Sequence, residues 1–182
     1  MDEVANLPSV QHGEHARTSL RRVDVKTWAP ERLQWLWEQT LKEDYATDDL
    51  GAATPELFIS NLFLPNSEHW EFGDDGYFAL LNILYKINAD IHFAVWGDVA
   101  VPGIIDCLQF LQERVFETYE VNRITAYIPA FNKKVLRLAT ILGYRYEGEM
   151  REIFLKNGTY HNLFVYGLLK KDHIRRKAGL CR

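Results

Sequence analysis

Cysteine is scarce in this 182-residue sequence, which contains two, Cys107 and Cys181. Two cysteines cannot form the disulfide framework of a small secreted domain, and they fit a reducing compartment. The sequence also lacks an apolar run of the ~18 to 20 residues that a membrane span requires. Residues 1–17 begin acidic and contain no apolar stretch, so we expect no signal peptide. These absences predict a cytoplasmic protein without membrane contact.

Positive charge is concentrated at one end of the chain. The whole sequence has a net charge of −4, yet residues 170–182 contain six Lys or Arg side chains and one acid, Asp172. We predict a polar N-terminal arm at 1–17, a single domain at 18–170 and a basic C-terminal tail at 171–182. The tail is either a solvated terminal segment or a contact for an acidic protein or nucleic acid.

Apolar residues make up 47% of the sequence and aromatic residues 13%, which excludes intrinsic disorder for the body of the chain. Their periodicity predicts an alternation of strands and helices. Strands are expected at residues 18–28, 69–72, 77–85, 87–96, 123–128, 144–156 and 159–169, and helices at 30–41, 54–66, 104–119 and 132–142. Asn132 is the expected cap of the last of these helices, Gly143 is its expected end, and Asn157-Gly158 is a strong signal for a hairpin between the last two strands. This mixed order indicates an α/β or α+β domain with one sheet and helices on both faces. The crossover at 87–128 predicts a parallel strand pair.

The most informative segment is 122–169. Its distinctive residues are Asn132, Leu138, Gly143, Tyr144, Glu147, Gly148, Arg151, Tyr160 and Tyr166. In type and spacing they resemble the GNAT acyltransferase superfamily, most closely its ribosomal-protein N-acetyltransferase-like branch. The order of elements extends the resemblance over about residues 18–170. It implies a GNAT-like mixed sheet, mostly antiparallel, of about seven strands with a parallel pair at its centre and about four helices on both faces.

The resemblance also implies a ligand and a reaction. Acetyl-CoA would donate an acetyl group to an amine, either a protein N-terminus, a lysine or a small amine. Its pantetheine arm would pair with the backbone of Phe93, Ala94, Val95 and Trp96, and Asn132 would reach the same arm. The junction between this strand and the next helix can bind an anion, because the first backbone amides of a helix have no hydrogen-bond partner within the helix. The expected pyrophosphate-binding residues there are Asp98, Val99, Ala100, Val101 and Gly103.

Several positions depart from the family pattern. The glycine-rich phosphate loop is replaced by GDVAVPG, where Pro102 removes an amide donor and Asp98 adds a negative charge. Ala139 stands where many members have a tyrosine general acid, and Asn162 stands where the branch often has aspartate. These departures support an alternative from another class. In it the chain is a non-catalytic GNAT-fold structural or binding module, such as a bacteriophage particle component or host-interaction protein. A virus particle is then the alternative location.

His92 is the candidate catalytic base. It precedes the phosphate loop and alternates with Ile91 and Phe93, and its natural pKa suits removal of a proton from an amine. The alternative is a polar residue satisfied on the sheet face. Asp90 and Glu149 are weaker candidates for the base. We interpret Tyr144 and Cys107 as core residues, and we predict no metal site because the six histidines lack ligand spacing.

Overall fold

The computed structural model describes residues 20–43, 47–49 and 54–179. The predicted arm at 1–17 and the end of the basic tail, with Cys181, lie outside the described residues. The strands are β1 (Leu20–Val23), β2 (Glu68–Phe72), β3 (Gly76–Leu84), β4 (Asn88–Val95), β5 (Arg123–Pro129), β6 (Arg145–Lys156) and β7 (Thr159–Leu169). The helices are α1 (Pro30–Leu41), α2 (Pro55–Leu62), α3 (Val101–Thr118), α4 (Lys133–Ile141) and α5 (Lys170–Lys177).

The seven strands form one sheet in the order β1-β2-β3-β4-β5-β7-β6. The β4–β5 pair is parallel and joined by α3, whereas the other neighbouring pairs are antiparallel. The predicted fold class and parallel pair are therefore confirmed. The described helices include α5, one more than the sequence predicts. No helix within the described ranges is long and apolar enough to cross a membrane.

Local capping sets several element boundaries. The Thr54 hydroxyl accepts a hydrogen bond from the Leu57 amide at the start of α2 (3.2 Å). The Asn132 side chain does the same for the Val135 amide at the start of α4 (3.1 Å). Gly143 has φ +89° just after α4, a conformation that side-chain-bearing residues rarely adopt. Each of these boundaries follows from a residue that satisfies the helix end.

Three predicted boundaries are wrong. The helix predicted at 54–66 ends earlier, at Leu62. The predicted loop at 97–103 is shorter, because α3 begins at Val101 with Pro102 in its first turn. Proline is favoured there because its missing amide would have no partner and its φ angle is already helical. The strand predicted at 18–28 ends at Val23, and a 3-10 helix follows at Val25–Thr27. The Asp24 side chain caps that helix by accepting a hydrogen bond from the Lys26 amide (3.1 Å).

Apolar residues are buried on both faces of the sheet. On one face α3 and α4 pack over a cluster that includes Phe78, Leu80, Leu108, Leu111, Val115, Ile124 and Leu168. On the other face α1 and α2 cover a smaller cluster formed by Val25, Leu33, Leu36, Phe58, Leu62, Tyr77 and Ala79. Strand β3 contributes to both clusters because its side chains alternate between the faces. A site between β4 and β5 can therefore be reached from both layers of helices.

The start of the basic segment is helical. In α5 the His173 ring packs against Phe116, with ring centroids 5.0 Å apart. Lys177 forms an ion pair with Glu113 (3.0 Å), and Lys170 donates to the Phe116 carbonyl (3.0 Å). These contacts join α5 to α3. A part of the positive charge in this segment is thus used within the domain.

Candidate functional site

Strands β4 and β5 separate beyond their first residues. Their parallel pairing runs from Asn88–Arg123 to Asp90–Thr125. Both strands continue past this point, β4 to Val95 and β5 to Pro129. A cavity of about 410 Å³ lies at the separation, lined by Ile91 to Ala94 and Ala126 to Pro129. Residues of α2 and of α4 also line it, so the cavity reaches both faces of the sheet.

The cavity wall is mostly apolar. Its polar members among the described residues are Thr40, Thr47, Asp48, Asn61, Tyr77, His92, Tyr127 and Tyr144. Asp48 is the single acidic residue of this described lining, which contains no Lys or Arg. A space of this composition suits an uncharged or weakly charged group better than a polycation.

The His92 side chain faces this cavity. It lies opposite Ala79 of β3, on the sheet face covered by α1 and α2. The surrounding protein lowers the His92 pKa by desolvation, and the Asp90 carboxylate opposes that effect. The ring stays accessible because it opens into the cavity. His92 is therefore neutral near pH 7 and able to accept a proton.

Only two of the four residues predicted to bind pantetheine through their backbone lie in the cavity wall. Phe93 and Ala94 line the cavity. Trp96 instead belongs to a contact with the β2–β3 turn, where its amide donates to the Asp75 carbonyl (2.9 Å) and its indole N–H to the Asp74 carbonyl (2.6 Å). Val95, at the end of β4, lies opposite Gly76 of β3. The backbone of Trp96 is thus already bonded within the fold.

The strand-to-helix junction after β4 contains available amide donors. The Val99 amide donates to the Gly97 carbonyl and the Gly103 amide to the Ala100 carbonyl, each at 2.9 Å. The amides of Asp98, Ala100 and Val101 donate to no acceptor within the described part of the chain. Three donors therefore remain at the start of the 18-residue α3, despite Pro102.

Basic residues missing from this junction are present on a neighbouring element. Lys133, Lys134 and Arg137 are exposed on α4, which follows β5. Because β4 and β5 are parallel, the helices that follow them begin at the same edge of the sheet. The N-termini of α3 and α4 therefore face a common side of the molecule. In the sequence, the signal for this positive charge is the Lys133-Lys134 pair next to Asn132.

Asn132 has a defined structural role. Its Oδ1 atom caps α4 by accepting from the Val135 amide. The side-chain nitrogen is the group that remains for a ligand. The capping role is as predicted, whereas contact with a pantetheine arm stays a prediction.

The weaker candidates for the base are engaged elsewhere. The two Asp90 carboxylate oxygens accept hydrogen bonds from Asn82 (2.8 Å) and Asn88 (2.9 Å). Glu149 accepts from the Asn162 side chain (2.6 Å). Neither carboxylate lines the cavity. Among the three candidates, His92 alone does so.

Tyr144 lies beside Ala139, which stands where many members of the family have a tyrosine general acid. Its amide donates to the Ala139 carbonyl (3.0 Å), and both side chains are buried at the cavity wall. Burial raises the pKa of the Tyr144 phenol, and the nearby Gln112 amide lowers it slightly. No well-formed hydrogen bond joins the two groups within the described residues. The hydroxyl is enclosed in the wall rather than presented to the cavity, in agreement with a core role.

Sequence reasoning missed Tyr77 and His69. Tyr77 lines the cavity and shares a sheet face with His92. Its hydroxyl is hydrogen bonded to His69 Nδ1 (2.5 Å). Both side chains are buried. Residues 69 and 77 lie on different strands, so only the strand register brings them together.

Comparisons with known proteins agree with this architecture. No protein-family model and no curated protein sequence matches the chain. A solved presumed acetyltransferase superposes with a TM-score of 0.68 at 19% identity, over 88% of this chain and 90% of that one. A variant of spermidine N-acetyltransferase SpeG from Vibrio cholerae gives 0.67 at 15% identity, over 87% and 96%. Ribosomal-protein-S5-alanine acetyltransferase from Vibrio fischeri gives 0.66 at 14% identity, over 84% and 93%. The chain therefore has the GNAT fold.

Proposed function

We propose that this protein is an N-acetyltransferase that uses acetyl-CoA to modify a primary amine carried on an apolar group. The observation that supports this most directly is the cavity at the separation of β4 and β5, with His92 in its wall. The GNAT fold of the structural neighbours supports acetyl transfer in general terms. The acceptor class rests on the lining of the cavity.

The residues present fit the proposed coenzyme. The apolar opening between β4 and β5 would receive the acyl end of the pantetheine arm. The amides of Asp98, Ala100 and Val101 would donate to the pyrophosphate, and Lys133 and Lys134 would contribute positive charge at the same edge of the sheet. The exposed Asp98 side chain opposes anion binding. The positive charge that attracts the pyrophosphate would therefore come from the lysines on α4 and not from the loop itself. When bound, the thioester supplies an activated acetyl carbonyl.

The cavity indicates the acceptor. A polyamine carries several positive charges and would need several carboxylates, whereas the described lining contains only Asp48. Phe58, Leu81 and Leu163 contribute apolar surface on the α2 side. We therefore propose a monoamine with an aromatic or aliphatic body, which includes an N-terminal residue with an apolar side chain.

His92 would act as the general base. Protein around the ring keeps it neutral near pH 7, and its position in the wall lets it take a proton from the bound ammonium group. The resulting free amine is the nucleophile. As the pH falls below the usual histidine range, a falling fraction of neutral His92 would reduce the rate.

A two-stage experiment tests this proposal. Acetyl-CoA at about one hundred times its Kd should stabilise the protein by roughly 2.7 kcal/mol, or several degrees in Tm. Acetyl transfer is then measured against a panel of aromatic amines, aliphatic amines, peptides and polyamines. His92→Ala should keep the Tm shift and lose transfer. The matched control is His161→Ala, because His161 of β7 does not line the cavity.

The outcomes separate the alternatives. If acetyl-CoA produces no Tm shift, the proposal is wrong. A Tm shift without transfer to any amine of the panel would favour the non-catalytic binding module. Faster transfer to spermidine than to every apolar amine would overturn the proposed acceptor class and leave acetyl transfer intact.

A further inference from the structure

Three neighbouring strands place His69, Ala79 and His92 in one row. Ala79 of β3 lies opposite His69 of β2 and opposite His92 of β4, so all three side chains share a sheet face. Tyr77 is two residues from Ala79 on the same face. It is therefore a diagonal neighbour of both histidines, within reach of long side chains. Ala79, the residue between the two histidines, has only a methyl group as its side chain.

Hydrogen bonds continue from Tyr77 toward the protein surface. The Ser67 hydroxyl donates to the Leu64 carbonyl (2.8 Å), so it can accept from His69 Nε2–H (2.9 Å). With the ring proton on Nε2, His69 Nδ1 accepts from the Tyr77 hydroxyl (2.5 Å). The Ser67–Leu64 bond thus favours the His69 tautomer with its proton on Nε2, in which the Tyr77 hydroxyl donates to Nδ1.

The two ends of this chain of hydrogen bonds lie in different spaces. Tyr77 lines the cavity between β4 and β5. His69 and Ser67 line a second, more polar pocket of about 530 Å³, together with Lys26, Pro65 and Asn66. Lys26, Pro65 and Asn66 are exposed, so this outer pocket is in contact with solvent. The hydrogen bonds thus join a residue of the cavity wall to residues of the solvent-exposed outer pocket.

We propose that Tyr77, His69 and Ser67 form a proton relay that carries the proton released by the amine from the cavity to the outer pocket. His92 takes this proton from the amine and passes it to the Tyr77 oxygen, as the proton of the Tyr77 hydroxyl moves to His69 Nδ1. The proton on His69 Nε2 passes to the Ser67 oxygen, while the Ser67 hydroxyl leaves the Leu64 carbonyl and releases its own proton to water in the outer pocket. No electrons are exchanged, and one proton enters for each that leaves. Exchange with water restores the Nε2–H tautomer between turnovers.

The surroundings of His69 support this role. Burial lowers the His69 pKa, while the Leu62 backbone and the carboxylates of Asp24 and Glu68 oppose that effect and Lys26 adds to it. These groups come from α2, from the turn after β1 and from β2 itself, and Tyr77 is the titratable neighbour on β3. The ring is therefore neutral near pH 7 and able to receive a proton. Burial also raises the Tyr77 pKa, so Tyr77 passes a proton on rather than remaining ionised.

The relay rests on the proposed acetyl transfer, so its test compares single-turnover rates in protein already loaded with acetyl-CoA. Tyr77→Phe and His69→Gln should each lower the acetyl-transfer rate by about 10- to 100-fold without changing the acetyl-CoA-induced Tm shift. Imidazole added to a His69→Gly variant should restore part of the rate through the outer pocket. Tyr119→Phe is the matched control, since it removes another hydrogen-bonded tyrosine hydroxyl, the donor to Glu68 (2.7 Å), away from the cavity.

Wild-type rates and an unchanged pH profile in Tyr77→Phe and His69→Gln would overturn the relay. If these variants do not fold, nitrogen NMR of the unmodified protein decides, because the relay requires His69 to carry its proton on Nε2. A proton on Nδ1 at neutral pH would also overturn it. Failure of the proposed function looks different, because the wild-type protein itself would then transfer no acetyl group.

Discussion

Glu68 and Arg114 form a two-point contact between the sheet and α3. The guanidinium donates from Nε to one carboxylate oxygen and from Nη2 to the other, each at 2.9 Å. The Glu68 side chain is 1% exposed, and Tyr119 and Arg22 also contact it. Desolvation alone would raise the Glu68 pKa, but these partners outweigh it and lower the pKa. The pair attaches β2, which carries His69, to the helix that follows β4.

Glu68→Gln is expected to lower the free energy of unfolding by about 2 to 4 kcal/mol at pH 7, because it removes charge-assisted bonds from a buried site. The control is Glu147→Gln, which breaks a half-exposed pair with Arg123 and should cost under about 1 kcal/mol. Urea unfolding measures both. A lowered pKa means that ionised Glu68 stabilises above its unfolded pKa of about 4.3 and that this contribution is lost on acidification. Equal losses in the two variants at pH 7 would contradict the prediction.

Protein stability should fall as the pH drops below about 6.5, the ordinary histidine pKa. Burial lowers the pKa of His69 and His173, so protonation favours the unfolded chain. Their contribution is complete above that pH and is lost as the pH falls through the folded-state pKa values. Tm measured from pH 7.5 to 5 checks this, and His173→Phe should make the dependence shallower. A Tm that rises on acidification over this range would refute the assignment.

Tyr144→Phe should leave the free energy of unfolding unchanged or raise it by about 1 kcal/mol, because the buried hydroxyl lacks a well-formed hydrogen bond. Acetyl transfer should persist, since that hydroxyl is enclosed in the cavity wall. Tyr119→Phe provides the contrast, and it should be destabilising because its hydroxyl is bonded to Glu68. Chemical denaturation and the transfer assay measure the two effects. Loss of transfer in Tyr144→Phe with normal folding would instead make Tyr144 the general acid.

Replacing Lys133 and Lys134 by Glu should weaken acetyl-CoA binding by about tenfold at low salt, with a smaller difference in 0.5 M salt where exposed charges are screened. Titration calorimetry measures the change. The control reverses two exposed charges on α5, Lys171 and Arg175, which should leave the affinity unchanged. If both double variants lose affinity equally, the effect is one of net charge rather than of the α4 N-terminus.

Local chemistry made much of the fold predictable. Asn132, Gly143 and the Asn157-Gly158 turn act through neighbouring residues, and the structure has the predicted cap, helix end and hairpin there. The predicted start of α3, at residue 104, was wrong because Val101 to Gly103 resemble a loop. A proline in the first turn is nevertheless a recognised signal for the start of a helix. The parallel pairing of β4 and β5 followed from the strand-helix-strand order between residues 87 and 128.

The candidate site was only partly predictable. Alternation along β4 placed His92 on a different sheet face from Ile91, and the structure shows that this face opens into the cavity. Nothing in the sequence places Tyr77 against His69 or separates β4 from β5 beyond Asp90. Those relationships depend on strand register and on packing between distant segments, which single residues do not encode.

The amino-acid order thus determined the element types, the caps and the fold class, because hydrogen bonds and hydrophobic periodicity act over a few residues. The tertiary structure decided which polar groups meet. It placed lysines of α4 at the same edge of the sheet as the acidic loop before α3, and it joined the cavity to the outer pocket through Tyr77 and His69. Such contacts form between residues far apart in the chain, so their geometry is set by the packed sheet and helices as a whole.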